Sequence, residues 1–286
     1  MEFPFVKMHG AGNDFVVVDG RSGEYPFEEI RKITPHLCNR RTGIGADGLL
    51  MLGASAKQDY AMHYLNADGS PAGMCGNGAR CLALFAFMQG LERKLTFEVG
   101  ETVYRAVVHK QYVSIHFPVH PEPEELTIDD NLWLNINTGT EHVVSIDDRY
   151  ATASDETFRQ IGRRIRNRSD LFPSGTNVNF AHVIDENRLS LTTYERGVED
   201  LTLACGTGAI ATAIGWHYRK VHLGDPGDPA GCTEGHREHY IQVDCPGGPL
   251  EVSFDTYCEK NDDICNYTKI ALHGPAVAVY EGRFPA

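Results

Sequence analysis

Two cysteines stand out by their neighbours in the chain. Cys75 is followed by Gly76-Asn77-Gly78-Ala79 and Cys205 by Gly206-Thr207-Gly208-Ala209, and each run opens a stretch of small and apolar residues. That pattern places each thiol at or just before a helix N-terminus. Backbone N–H groups and the positive end of the helix dipole meet there, which favours the thiolate. The glycines let a ligand approach the backbone, and the same N–H groups make a ready carboxylate site. Cys38, Cys81, Cys232, Cys245, Cys258 and Cys265 lack this context and read as packing residues.

Matched thiols suit one class of reaction. Inverting a carbon stereocentre without a cofactor needs a base on one face and an acid on the other, and a thiolate–thiol pair exchanges those roles with the direction of reaction. Charge developing next to a carboxylate would be stabilised by donors fixed at two helix starts. A cysteine hydrolase would instead need one nucleophile with a partnered histidine. A silent amino acid-binding protein would need no matched acid and base. Gly10-Ala11-Gly12 precedes its strand, so it is no dinucleotide fingerprint, and no pyridoxal-type lysine motif is present. The residues point to a cofactor-independent racemase or epimerase and leave its substrate open.

The elements that must position these thiols alternate along the chain. Strands are expected at Phe15–Asp19, Ala61–Leu65, Leu95–Val99, Val103–Val108 and Val113–Phe117. A short helix is expected over Glu28–Leu37, interrupted at Pro35, and an Ala- and Leu-rich helix over Gly76–Gln89, stopped by Gly90. Pro118, Pro121 and Pro123 mark a domain linker. Beyond it come strands at Leu132–Asn137, His142–Ile146, Val178–Ile184 and Leu189–Glu195, with a helix at Thr157–Arg166 and an Ala-rich helix over Gly206–Lys220. Strands at Tyr240–Asp244, Leu250–Phe254, Lys269–His273 and Ala276–Tyr280 close the pattern. Two polar segments, Gly224–His239 and Thr256–Tyr267, lack the periodicity of an element and read as surface insertions. The first holds Cys232, His236 and His239, three candidate metal ligands without a fourth. It reads as a solvated loop, and no metal is expected.

The Cys-Gly-x-Gly-Ala match is accompanied by a weaker one. His9 to Val17 loosely matches Asn137 to Val144, at nearly the same offset and in the same order, which argues for two copies of one α/β unit. At a formal charge of −13 over 286 residues the chain repels phosphate backbones and anionic lipid, so neither nucleic acid nor a membrane is an expected partner. Hydrophobic residues at 42% suit a globular protein, and no apolar run is long enough to span a bilayer. The N-terminus lacks the features of a signal peptide, so a soluble, cytoplasmic protein is expected.

The motifs as a set resemble the diaminopimelate epimerase family along nearly the whole chain. The matching segments are Lys7-Met8-His9-Gly10-Ala11-Gly12-Asn13-Asp14-Phe15, Gly43-Ile44-Gly45-Ala46-Asp47-Gly48, Asn66-Ala67-Asp68-Gly69-Ser70 and Met74-Cys75-Gly76-Asn77-Gly78-Ala79-Arg80-Cys81. They continue with Val178-Asn179, Tyr194-Glu195-Arg196-Gly197, Ala204 to Ala209 and Val243-Asp244-Cys245-Pro246-Gly247-Gly248. The resemblance implies an α/β (α+β) fold of two pseudo-symmetric domains, each a curved, mostly antiparallel sheet wrapped around a central helix. Residues 1–118 would form the first half, 119–274 the second, and a strand at about 275–286 would return to the first. The active site would lie in the cleft between the halves, and the protein would be a homodimer acting on a small amino acid.

By the same resemblance Cys75 and Cys205 are the acid–base pair. Gly76, Asn77, Gly206 and Thr207 would hold the reacting carboxylate, and Asn13, Asn66, Asn179 and Arg196 would bind substrate. Arg196 would take the distal carboxylate in a bidentate grip. Glu195 and His142 would flank the thiols, Glu195 contacting substrate as well, and both would tune thiol pKa. The implied activity is epimerisation of LL- to meso-2,6-diaminopimelate without a cofactor, in lysine and cell-wall precursor synthesis. A racemase of histidine or proline on the same fold is the alternative. Two positions depart from the family pattern: Gly48 stands where a glutamine is usual, and Gly139-Thr140-Glu141-His142 replaces Gly-Asn-Pro-His.

Overall fold

A computed structural model describes residues 2–224, 235–258 and 265–285. The chain forms two compact units, Met1–Pro118 with His273–Ala286, and Val119–Leu272.

Unit 1 contains β1 (Glu2–Gly10), β2 (Asn13–Asp19), α1 (Phe27–Cys38), β3 (Gly48–Gly53), β4 (Tyr60–Asn66), β5 (Pro71–Ala72), α2 (Gly76–Met88), β6 (Lys94–Val99), β7 (Thr102–Val108) and β8 (Val113–His116). Unit 2 contains β9 (Glu124–Ile128), β10 (Asn131–Asn137), β11 (Glu141–Ile146), α3 (Asp155–Arg166), β12 (Asn177–Asp185), β13 (Arg188–Glu195), β14 (Asp200–Thr202), α4 (Gly206–His222), β15 (Gly235–Cys245) and β16 (Gly248–Cys258). β17 (Cys265–Gly274) and β18 (Val277–Pro285) complete the chain, and β18 pairs antiparallel with β1.

Each unit repeats the other's pairing. In unit 1, β1 and β2 are antiparallel, β2 and β3 parallel, β3 and β4 antiparallel, and β4 takes β5 antiparallel and β6 parallel. In unit 2 the series β10, β11, β12, β13, β14 and β15 has the same order of signs. Both parallel joints are crossovers that carry a helix, the outer α1 or α3 at the first and the central α2 or α4 at the second. The fold is α+β, a large, mostly antiparallel sheet with few helices, whose strand pairing repeats pseudo-symmetrically in the two units.

Helix composition explains which helix goes where. α2 reads GNGARCLALFAFM, apolar on nearly every side, and is buried from Gly76 to Ala83. α4 is likewise buried without a break from Gly208 to His217. α3 is amphipathic, buries only Phe158, Gly162 and Ile165, and starts on a Ser154 cap that accepts from the Thr157 N–H. Strand alternation then sorts the side chains. Val16, Val18, Leu49, Met51 and Leu65 pack outward with Ile30 and Leu37 of α1. Their sheet neighbours Leu50 and Met62 point the other way, against Gly78 of α2. In unit 2, Val143, Val178, Phe180 and Tyr194 pack with Phe158 and Ile165 of α3, while Leu134, Ile136 and Val144 lie against Gly215 of α4.

Some expectations need correction. α1 runs through Pro35 without interruption, because the proline sits in the last turn, where its missing N–H removes one bond only. Pattern alone does not announce β1 and β3. Every residue of β3, GLLMLG, is buried, so it shows no alternation to read. The described flanks of the two polar insertions are strand, since β15 starts at Gly235, β16 ends at Cys258 and β17 starts at Cys265. Cys232 and the centres of both insertions lie outside the described residues.

Candidate active site

In unit 1, Cys75 is the N-cap of α2 (φ −124°, ψ 115°), and its sulfur accepts from the Gly78 N–H at 3.4 Å. The helical ladder begins with the Ala79 N–H donating to the Cys75 carbonyl, so the N–H groups of Gly76 and Asn77 precede it at the helix start. Arg80, wholly buried inside an apolar helix, holds this turn. It donates to Asn77 Oδ1 at 2.7 Å, to the Gly76 carbonyl at 3.3 Å and to the Pro275 carbonyl at 3.2 Å.

Strand alternation turns Asn13, Gly48, Tyr64 and Asn66 to the α2 face. Asn13 donates its Nδ2 to Asp47 at 2.7 Å, which presents its Oδ1 to the Cys75 sulfur at 3.8 Å. That oxygen only accepts, so Cys75 faces it as a thiol. Around Asn13 lies a charged cluster. Lys7 and Arg40 pair with Asp14 at 2.6 and 2.7 Å, and Arg40 reaches Asp47 at 2.7 Å. Burial pushes the Asp14 carboxyl up, but hydrogen bonds and charge from Arg40 and Lys7 prevail and hold it well below the usual carboxylate range. Asn66 bonds Ser70 Oγ at 3.0 Å within its own turn. A Cβ at Gly48 would collide with the Leu65 carbonyl and the Tyr64 ring, so the tyrosine fills the space next to the missing side chain.

In unit 2, Cys205 is the N-cap of α4 (φ −112°, ψ 109°) without a side-chain cap bond, and the ladder begins with the Ala209 N–H on its carbonyl. Its sulfur lies 3.6 Å from Thr207 Oγ1. Glu195, facing it from β13, is pushed above the usual carboxylate range by burial, with a hydrogen bond to Cys205 among the groups that pull it back. His142 is fully buried, 2.9 Å from Thr140 Oγ1 through Nε2 and 3.1 Å from Asn179 Nδ2 through Nδ1. Burial and the nearby Arg196 charge push it down to about 3, so the imidazole is neutral. Arg196 bonds Glu141 at 2.8 Å and the carbonyls of Ser174 and Gly175 through the same nitrogen.

The structure thus gathers Asn13, Cys75, Gly76 and Asn77 at one helix start, and His142, Glu195, Cys205, Gly206 and Thr207 at the other. Asn179 lies beside the second of these, its Oδ1 against Gly208. It is fully buried, and its amide meets Thr193, Val143, Asn177 and His142. Sequence reasoning misses the Asp14 cluster, Arg80 and Tyr64. Arg80 has a signal, a charge inside an apolar helix. The cluster joins residues far apart in sequence, and no spacing announces it. Among the described residues no group of three or more His, Cys, Asp or Glu is placed to hold a metal ion.

Comparison with known proteins points the same way. The chain is 37% identical over 278 residues to the diaminopimelate epimerase of Flavobacterium psychrophilum, covering 96% of this chain and 97% of the relative. It is 41% identical over 285 residues to that of Chlorobaculum tepidum, covering 96% and 98%. Among solved structures, a hydroxyproline epimerase from Agrobacterium vitis shares the fold at a TM-score of 0.67 and 12% identity, covering 99% of this chain and 92% of that one. A PhzF-family phenazine biosynthesis protein from Bacillus anthracis shares it at 0.65 and 14%, with full coverage of both chains. The profile of the family described as diaminopimelate epimerase matches residues 5–104 and 134–264, and with these relatives it shows that the chain belongs to the diaminopimelate epimerase family.

Proposed function

We propose that the protein epimerises LL-2,6-diaminopimelate to the meso form by two-cysteine acid–base chemistry. One thiolate removes the α-proton, the other thiol delivers a proton to the opposite face, and the roles reverse with direction. The N–H groups of Gly76, Asn77, Gly206 and Thr207 take up charge that develops at the reacting carboxylate. Arg196, with Asn66, binds the distal head. Both proton-transfer groups come from the chain, so the reaction so proposed calls on no cofactor. The observation that carries the reading is the repetition of a cysteine-capped buried helix in each unit of a chain of this family.

Proton NMR in D2O with a panel of amino acids tests it: the α-proton of diaminopimelate should wash out, faster than that of histidine or proline. Faster exchange of histidine or proline would favour the racemase reading, to which Gly48 and Thr140 lend some support. No exchange with any of them would overturn both. The place of action we infer is the cytoplasm, in lysine and cell-wall precursor synthesis, and no described helix is long and apolar enough to cross a membrane. We also infer a homodimer. Val277 and Val279, exposed by 41% and 55% on one side of β18, support self-association, and sedimentation equilibrium would test it.

A further inference from the structure

Beside Cys205 runs a series of polar contacts whose direction can be deduced from its far end. Asn179 Nδ2 lies 3.1 Å from the Val143 carbonyl, which only accepts, and Asn179 Oδ1 receives the Thr193 hydroxyl at 2.9 Å. The amide orientation is therefore settled, and Nδ2 donates to His142 Nδ1 at 3.1 Å. A neutral imidazole that accepts at Nδ1 carries its proton on Nε2. That proton is donated to Thr140 Oγ1 at 2.9 Å. The Thr140 hydroxyl in turn donates to Thr207 Oγ1 at 3.4 Å, and the Thr207 hydroxyl lies 3.6 Å from the Cys205 sulfur, where either atom can donate.

We propose that Thr140 and Thr207 form a hydroxyl relay that carries the hydrogen-bonding polarity of His142 to Cys205 and stabilises its thiolate, making Thr140 a positioning residue for proton abstraction. With Cys205 as thiolate, each link receives one hydrogen bond and gives one, and only the last gives to sulfur. No proton need move along the relay. It orients donors, and a donor aimed at a sulfur favours the charged form. The titratable groups facing this helix start are His142 on β11 and Glu195 on β13. Arg196, itself paired with Glu141, acts on His142 through charge. A neutral His142 makes the direction of the relay constant across the working pH range. The inference rests on the proposed reaction for its kinetic test and on geometry alone for its chemical one.

Thr140→Val keeps the shape and removes the hydroxyl. With the diaminopimelate stereoisomer from which Cys205 takes the proton, the acid limb of kcat/KM should move up by about one pH unit and kcat at neutral pH should fall about tenfold, with KM within about twofold. Thr140→Ser should restore both, and the thermal midpoint should separate any folding defect from the effect on the thiol. Alkylation of Cys205 by iodoacetamide, followed by mass spectrometry across pH, should show the same upward shift in the variant whether or not substrate is turned over. An unmoved alkylation profile overturns the relay. So does a raised KM with an unmoved acid limb, which would make Thr140 a substrate ligand. A wild type inactive on diaminopimelate would instead overturn the proposed reaction.

Discussion

The two helix starts share a backbone frame and little else. Around Cys75 the sulfur meets an acceptor, Asn13 Oδ1, set by Asp47 and backed by the Lys7, Asp14 and Arg40 charges. Around Cys205 it meets a hydroxyl and a carboxyl, Thr207 and Glu195, backed by a neutral buried histidine. A repeated unit has kept what any thiol at a helix start needs, the glycine turn and the dipole. It has changed the side chains that decide which protonation state each thiol favours. Cys75 thus faces an acceptor amide and takes the Gly78 N–H, while Cys205 lies between the Thr207 hydroxyl and the Glu195 carboxyl, so the two thiols meet different partners.

The first way to break this comparison is to remove each thiol in turn. Cys75→Ser and Cys205→Ser should each lower epimerisation by roughly 10²–10⁴-fold, the usual worth of a positioned acid or base, measured by conversion of the LL isomer to the meso isomer. Cys81→Ser, whose thiol burial pushes up to about 12, should leave turnover largely intact. Full activity in either of the first two variants would sink the two-thiol mechanism.

Next in size is Arg196→Ala, with kcat/KM for diaminopimelate expected to fall by about 100-fold, in line with losing charge-assisted bonds to a carboxylate. A racemase of histidine or proline would tolerate the change. Assaying the three substrates on wild type and variant therefore separates the two readings.

Acid should tell the two polar surroundings apart. Burial pushes His142 and His217 down to about 3 and His273 down to about 4, from an ordinary value of 6.5. As pH falls below 6.5 the unfolded chain takes up protons that the folded one refuses, so their contribution is full above 6.5 and is lost towards 3–4. Asp14, held low by its partners, keeps its contribution until pH falls below its ordinary 3.8. Urea midpoints should drop between pH 6.5 and 4.5, with His142→Asn flattening the slope and Asp14→Asn leaving it unchanged while lowering the whole curve. A flat wild-type curve would contradict neutral buried histidines.

The smallest effect is expected from Thr140→Asn. An amide can receive and give a hydrogen bond as the hydroxyl does, so kcat/KM should change by less than about tenfold, or 1.4 kcal/mol. A larger loss in steady-state kinetics would mean that the relay needs a hydroxyl's geometry.

Much of this was legible in the sequence, for reasons that particular residues make plain. Cys75 and Cys205 are each read with their glycines because capping chemistry is local, and α2 because nearly every residue of it is apolar. β3 was not legible, since burial on both faces erases alternation. Nor was the service of Asn179 to His142: the two sit on neighbouring strands in register only once β11 and β12 pair in parallel, His142 opposite Asn177. The Thr140–Thr207 contact joins a strand turn to a helix start, and neither threonine advertises it.

The pairing of β18 with β1 sets an order of events during synthesis. Unit 2 is one unbroken stretch and can assemble once Leu272 has emerged. Unit 1 has to wait. Until the segment from His273 onward emerges, β1 presents an open edge, and Phe3 and Phe5 lack the rings of Phe284 and Tyr280 that later cover them at 6.0 Å. The half that is translated first is thus the half that is finished last, and a released chain truncated short of β18 would carry one completed thiol site and one frayed one.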